Sequence, residues 1–229
     1  MQTSVDVGML RTVTLDDLTR HRHARSHALA PANVRSLVRR GFLRVRTLHF
    51  SKAVYAAFTR EGKEFRNRPK TQGNQQKYHA HFVQSRELRH EVAIYPWYQE
   101  VAAQIARDGA NVRRLVLDFE LKRSINPRLT KLQPLPPADR ERLRQEIAHD
   151  NGLTVVDGKI PFPELWIEYE NAERNHTKVD VELPACDCDR DGNAAKARAG
   201  FSICALHEDV GRPRRALEDP ELTKEISAL

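Results

Sequence analysis

Apolar residues recur along this chain at two spacings, every three to four positions and every second position, and the alternation between the two predicts its elements. Thr14 followed by Asp16 and Asp17 reads as a helix start. The hydroxyl caps the first free amides and the acids sit at the positive end of the helix dipole, with the helix expected to run to about His23. A second helix fits Pro31 to Arg40, with Val34, Leu37 and Val38 as its apolar stripe and Gly41 as a left-handed stop. Leu43 to Phe50 and Val54 to Thr59 are rich in β-branched and aromatic residues around a short turn at Ser51–Ala53, the pattern of a hairpin. Further on, Glu87 to Arg107 is helical in period, with Pro96 kinking or restarting it and Gly109 closing it. Val112 to Leu121 alternates as a half-buried strand, and a helix is expected from Pro137 to about His149. Three extended segments follow at Leu153–Val156, Leu165–Glu170 and Lys178–Leu183, then a small helix near Asn193–Ala199 and a last strand near Phe201–Leu206.

Charge divides these elements into two groups. The first hundred residues hold 18 Lys and Arg against 8 Asp and Glu, whereas the remainder holds 20 against 23. A basic front half suggests a polyanion partner. Arg35, Ser36, Arg39 and Arg40 lie opposite the apolar stripe of the second helix, and Arg44, Arg46 and Lys52 lie on the hairpin. A helix, a basic helix and a hairpin in that order predict a winged helix-turn-helix, whose second helix enters the major groove while the hairpin rides the backbone. Such domains carry one more helix in front. About a dozen residues precede Thr14, so that helix is either very short or outside the chain. The competing reading is a small α+β subdomain with a solvated basic face.

The expected organisation is α+β (mixed α/β). A winged-helix domain spans residues 1–65 and a polar, basic linker spans 66–79, read from RNRPKTQGNQQKYH. A mixed sheet flanked by helices occupies 80–208, and a charged tail 209–229. The chain lacks an apolar run of about 18 residues and its start lacks a basic, then apolar, leader, which predicts neither a membrane partner nor a signal peptide. Three cysteines, all between residues 186 and 204, are too few and too local for a secreted disulfide framework. A cytoplasmic location is therefore expected.

Chemistry concentrates in the back half. In Lys178–Leu183, Val179, Val181 and Leu183 point one way, expected inward, and Asp180 and Glu182 the other. That places two carboxylates about 7 Å apart on one face, a spacing that brackets a divalent ion. Glu164, after Pro163, supplies a third oxygen if the two strands pair across Asn171–His176, and Lys196 on the next helix points back. Three oxygens and an ammonium suit phosphodiester hydrolysis, with Mg²⁺ activating water and lysine steadying the attacking or leaving oxygen. Glu164, Asp180 and Glu182 are the candidate metal ligands. The order helix, three strands, helix, strand, with Pro163-Glu164, fifteen residues, then Asp180-x-Glu182, resembles the PD-(D/E)xK nuclease core. It departs from that core in having Glu164 for the usual aspartate and Glu182 for the usual lysine. Glu91, on the preceding helix, is the candidate for the acid which that core carries on its first helix, and Glu120-Leu121-Lys122 spells a literal ExK one strand early. The competing reading for Asp180 and Glu182 is a solvated strand face.

Three weaker patterns complete the set. His21, His23 and His27 have metal-like spacing, but solvent- or phosphate-facing histidines are the better reading. Asp187-x-Asp189-x-Asp191-Gly192 opens like a calcium loop but has Arg198 at its twelfth position, where a bidentate Glu is required. Cys186, Cys188, Cys204 and His207 make a nominal zinc set, yet the first gap is too tight.

The segments VRSLVRRGFLRV, RELRHEVAIYPWYQEVAAQI, VRRLVLDFELKR, LTVVDGKIPFPELWIEYE and KVDVEL followed by AAKARAGF resemble bacterial replication-relaxation proteins of plasmids and integrative elements, over roughly residues 10–206. The resemblance implies a winged-helix front binding double-stranded DNA and a role in replication, relaxation or mobilisation of a mobile element. It carries over no catalytic residue. In relatives an aspartate often stands at the position of Glu164, which implies that any active site in this copy is degenerate. The leading expectation is therefore a DNA-binding accessory protein without turnover or cofactor. The alternatives are a Mg²⁺-dependent nickase or nuclease using Glu91, Glu164, Asp180, Glu182 and Lys196, and a module that docks a relaxase or replication initiator.

Overall fold

A computed structural model describes residues 2–23, 28–47, 53–67, 76–84, 87–183 and 190–201. It begins with helix α1 (Gln2–Met9), a short helix ahead of Thr14. Strand β1 (Thr12–Thr14) ends on the Thr14 cap, whose hydroxyl accepts the Asp17 N–H at 3.0 Å and opens α2 (Leu15–Asp17). The chain continues as a π-helical turn over Leu18–Arg22. Helix α3 (Leu29–Arg39) starts two residues ahead of the expected Pro31. Ala30 and Val34 are buried and Leu37 and Val38 only partly so. Its end is closed as expected: Gly41 takes φ +72°, Gly41 N–H donates to Val38 at 2.9 Å, and Phe42 N–H to Leu37 at 2.9 Å.

The hairpin pairs β2 (Leu43–Thr47) with β3 (Val54–Phe58) antiparallel, Leu43 opposite Phe58 and Thr47 opposite Val54. β1 adds to the other side of β3, giving the order β1-β3-β2. Helix α4 (Arg60–Asn67) follows, an element that the sequence reading lacks. Thr59 caps it, accepting the Gly62 N–H at 3.0 Å. At Gly62 a Cβ would stand 2.2 Å from the Phe42 carbonyl oxygen, so only glycine lets α4 approach the end of α3 this closely.

The expected linker at 66–79 is corrected at both described ends. Arg66 and Asn67 belong to α4. Gln76 is buried and clamps Leu115, accepting its N–H at 2.7 Å and donating to its carbonyl at 3.3 Å. Tyr78 is also buried, its ring 6.4 Å from that of Phe58. Polar composition signals a linker only where the amides and rings find no packing partner, and here they find one.

Helix α5 (Leu88–Arg107) runs through Pro96 undivided. Strand β4 (Asn111–Leu117) then stops four residues before the expected end. Asp118–Thr130 form helix α6, and the Glu120 side chain accepts the Leu117 N–H at 3.4 Å to close its first turn. Leu115, Leu117, Phe119 and Leu121 mimic a strand period, but Leu121, Ile125 and Leu129 are spaced at four and set the helix. Helix α7 (Pro137–Asp150) follows and Gly152 ends it with φ +63°. Leu153–Val156 is not a strand among the described residues, where its ladder contact is the Val156–Lys159 bridge. β5 (Leu165–Glu170) and β6 (His176–Val181) turn back on each other at Asn171–Asn175, and α8 covers Arg190–Arg198.

The second sheet has the order β4-β5-β6. Arg113 meets Glu170, and the Asp118 N–H meets the Glu164 carbonyl at 3.1 Å, so β4 runs antiparallel to β5. The expected mixed sheet is thus antiparallel among the described residues. The last expected strand, apart from Phe201, and the tail lie outside them.

By its internal contacts the chain divides into Met1–Leu115 with Glu168–Thr177, and Val116–Ile167 with Lys178–Leu229, so the division does not fall at residues 66–79. The second unit packs Val116, Leu121, Ile125, Ile147, Trp166 and Phe201 into its core. In the first unit, Asp6 is fully buried and binds Arg22 through two contacts of 2.7 Å and the Tyr95 hydroxyl at 2.9 Å.

Candidate functional site

Register assembles a charged cluster in the second unit. Antiparallel pairing from the Asn171–Asn175 turn brings Glu164, just ahead of β5, opposite Glu182, just past β6, and the Glu164 N–H donates to Glu182 Oε1 at 3.2 Å. Lys196 on α8 completes the set, its Nζ donating to Glu182 Oε2 at 2.5 Å and to Glu164 Oε1 at 3.2 Å. Three residues chosen from the sequence therefore do converge.

Glu182 is 2% exposed, and burial pushes its carboxyl up to about 7 against the pull of the Lys196 ammonium, with the Glu164 charge adding to the rise. Burial disfavours the charged form of Lys196, but Glu182 and then Glu164 outweigh it and its pKa rises. The cluster thus holds a firmly protonated lysine between one buried carboxyl that titrates near neutrality and a second, more open one.

Asp180 lies on the same strand face but has different neighbours. Burial raises its pKa, while the charge of Lys178 and the indole of Trp166 hold it back. Trp166 Nε1 and Asp180 Oδ1 are both enclosed, and the indole N–H is the polar group that faces the carboxylate. Lys178 donates to the Gly152 carbonyl at 2.8 Å and stands 3.7 Å over the Trp166 ring. The sequence reading missed that pair, whose only signal was a tryptophan amid charged residues.

The expected inward face of β6 is thus only half the arrangement. Val181 is buried, and so is Glu182 on the opposite face. The reason is that Trp166, on the carboxylate side, belongs to the core formed with α6 and α7, a cover that reading Asp118–Leu121 as strand conceals.

The remaining candidates separate. Glu91 lies in the first unit, buried, with Arg11 Nε 3.5 Å from its Oε1. The literal ExK falls on α6, where Lys122 pairs with Asp118 at 2.6 Å. His23 Nε2 meets the Thr3 hydroxyl at 3.0 Å and His21 packs edge-on to Tyr95, while His27 lies outside the described residues. Asp191 and Gly192 are helical in α8, and the rest of the calcium-like run lies outside, as do Cys186, Cys188, Cys204 and His207. Among the described residues no group of three or more His, Cys, Asp or Glu is disposed to hold a metal ion. The Lys196 ammonium already takes up the facing oxygens of Glu164 and Glu182, so Mg²⁺ does not fit the cluster as it stands.

On the first unit, Arg35, Arg39 and Arg40 are exposed along α3 and Ser36 is partly covered. Arg40 also lies 4.8 Å over the Phe42 ring. Arg44 and Arg46 are exposed on β2 beside Val45, itself 46% exposed, and Lys52 lies outside the described residues. No helix among the described residues is long and apolar enough to cross a membrane. No family model, curated protein or solved structure matches the chain.

Proposed function

We propose that this chain is a duplex-DNA-binding protein whose first 60 residues form a winged helix, serving replication, relaxation or mobilisation of a plasmid or mobile element. The observation that carries the proposal is the exposure of Arg35, Arg39, Arg40, Arg44 and Arg46 on α3 and the adjoining β2, two elements that contain no acid. The order α1-β1-α2-α3-β2-β3 with strands arranged β1-β3-β2 supports the winged-helix reading. Exposed guanidinium groups neutralise phosphates and release their counterions, which makes binding steeply dependent on salt. The role in a mobile element rests on the sequence resemblance.

Fluorescence anisotropy with a plasmid-derived duplex, titrated over salt, tests this. Arg39→Ala with Arg40→Ala is expected to lower the slope of log K against log salt by about 2 and to weaken binding about 50-fold near 0.1 M salt. Unchanged affinity and slope would remove α3 from the interface.

A second reading, a metal-dependent nuclease, is favoured by the convergence of Glu164, Glu182 and Lys196. Against it stands the ammonium seated between the carboxylates, and the expectation is little or no nicking of supercoiled plasmid in Mg²⁺ or Mn²⁺. Nicking by the full chain that disappears in Glu182→Gln would reverse the ranking of the two readings.

A further inference from the structure

Helix α6 is unlike helix α7 of the same unit. Residues 121–138 contain Lys122, Arg123, Arg128 and Lys131 and no acid, although residues 101–229 as a whole hold more acids than bases. All four cations are exposed. Lys122 leans on Asp118 at 2.6 Å and Arg128 on Asp150 at 3.3 Å, but Arg123 and Lys131 have no carboxylate partner among the described residues. Helix α7 is an ordinary solvated face by comparison: Arg142 sits between Asp139 and Glu146, and Arg144 pairs with Glu141 at 2.5 Å. At 100° per residue, Arg123 and Lys131 fall about 80° apart around the α6 axis and about 12 Å apart along it. Exposed Asn126 and Thr130 lie between them along the axis, on the Arg123 side, and add hydrogen-bonding side chains.

The place of α6 in the unit matters as much as its charge. Its first residue, Asp118, donates its N–H to the carbonyl of Glu164, so the helix starts at the Glu164–Glu182–Lys196 cluster and runs away from it for ~20 Å. We infer that the exposed face of α6 is a second nucleic-acid contact, a track for the phosphate backbone that leads to or from this cluster. This rests on the reading that the chain binds duplex DNA. It adds that the second unit, net acidic in sequence, holds DNA through α6, with Arg123 and Lys131 on phosphates.

The test compares full-length variants by anisotropy on a random 30-bp duplex over a salt series. Arg123→Gln with Lys131→Gln is expected to lower the slope of log K against log salt by about 1.8. Arg142→Gln with Arg144→Gln removes the same charge from α7 and is expected to lower it by less than half as much, because those guanidinium groups are already paired. If the α6 variant matches the wild type, or the two variants lose equally, the inference is overturned. Loss in Arg39→Ala with Arg40→Ala but not in the α6 variant would leave the DNA reading standing without it, whereas a wild type with no salt-dependent binding would end both. Tighter wild-type binding to polyglutamate than to the duplex, lost in the α6 variant, would overturn a nucleic-acid partner in favour of an acidic protein.

Discussion

Asp6→Ala is expected to destabilise the first unit by about 3–5 kcal/mol, because it leaves a guanidinium and a buried phenol facing an empty acceptor. Asp6 is 0% exposed and ties three elements, its own α1, the π-helical turn through Arg22 and α5 through Tyr95. Burial, and then the charge of Asp6 and its hydrogen bond, raise the Tyr95 pKa, so the hydroxyl remains a donor over the working range of pH. Asp6→Asn keeps shape and an acceptor and should cost less, and Tyr95→Phe about 1 kcal/mol. Urea midpoints of the full chain, with a double-mutant cycle between Asp6 and Tyr95, provide the measurement. A loss below 1 kcal/mol in Asp6→Ala would mean that the pair does not hold α1 to α5.

The second large effect belongs to Lys196→Met and depends on pH. The folded-state pKa of Glu182, about 7, lies above its ordinary value near 4.5, so the folded state takes up a proton between those values. The contribution of Glu182 to stability is therefore fully present below about pH 4.5 and is lost as pH rises through 7. Removing the ammonium, which holds that pKa down, pushes it higher. At pH 5 the carboxyl is protonated with or without Lys196 and the variant should lose little. Above 7 the deficit should grow by about 1.4 kcal/mol for each unit between the two folded pKa values. Urea midpoints at pH 5 and pH 8.5 separate the cases: an equal penalty at both would show that lost packing of the lysine stem, not the Glu182 proton, carries the effect.

Local chemistry was legible where one residue type has one physical use. Thr14 with Asp16 and Asp17 marked a cap, and Gly41 and Gly109, both at positive φ, marked helix ends. The extended segment Leu165–Glu170 coincides with β5 to the residue. Local pattern failed where it served two structures. Leu115 to Leu121 satisfies a period of two, yet Leu121 and Ile125 satisfy a period of four, and only the core that includes Ile147 and Trp166 selects the helix. The polar run ending in Gln76 and Tyr78 read as linker because nothing in it announces Leu115 or Phe58 as partners.

Candidate chemistry divided along the same line. Sequence by itself determined the residue types, the basic front, and the choice of Glu164, Glu182 and Lys196, since a strand period, a hairpin turn and the next helix fix which side chains face one another. Tertiary structure decided their state: burial pushes the Glu182 carboxyl up to about 7, and the Lys196 ammonium on α8 meets it at 2.5 Å. It also placed Glu91 in the other unit and joined Asp6 to Tyr95 across 89 positions. Periodicity reports which face a residue takes relative to its neighbours in the chain. What covers that face is set by packing between distant segments, and with it the solvation that determines charge.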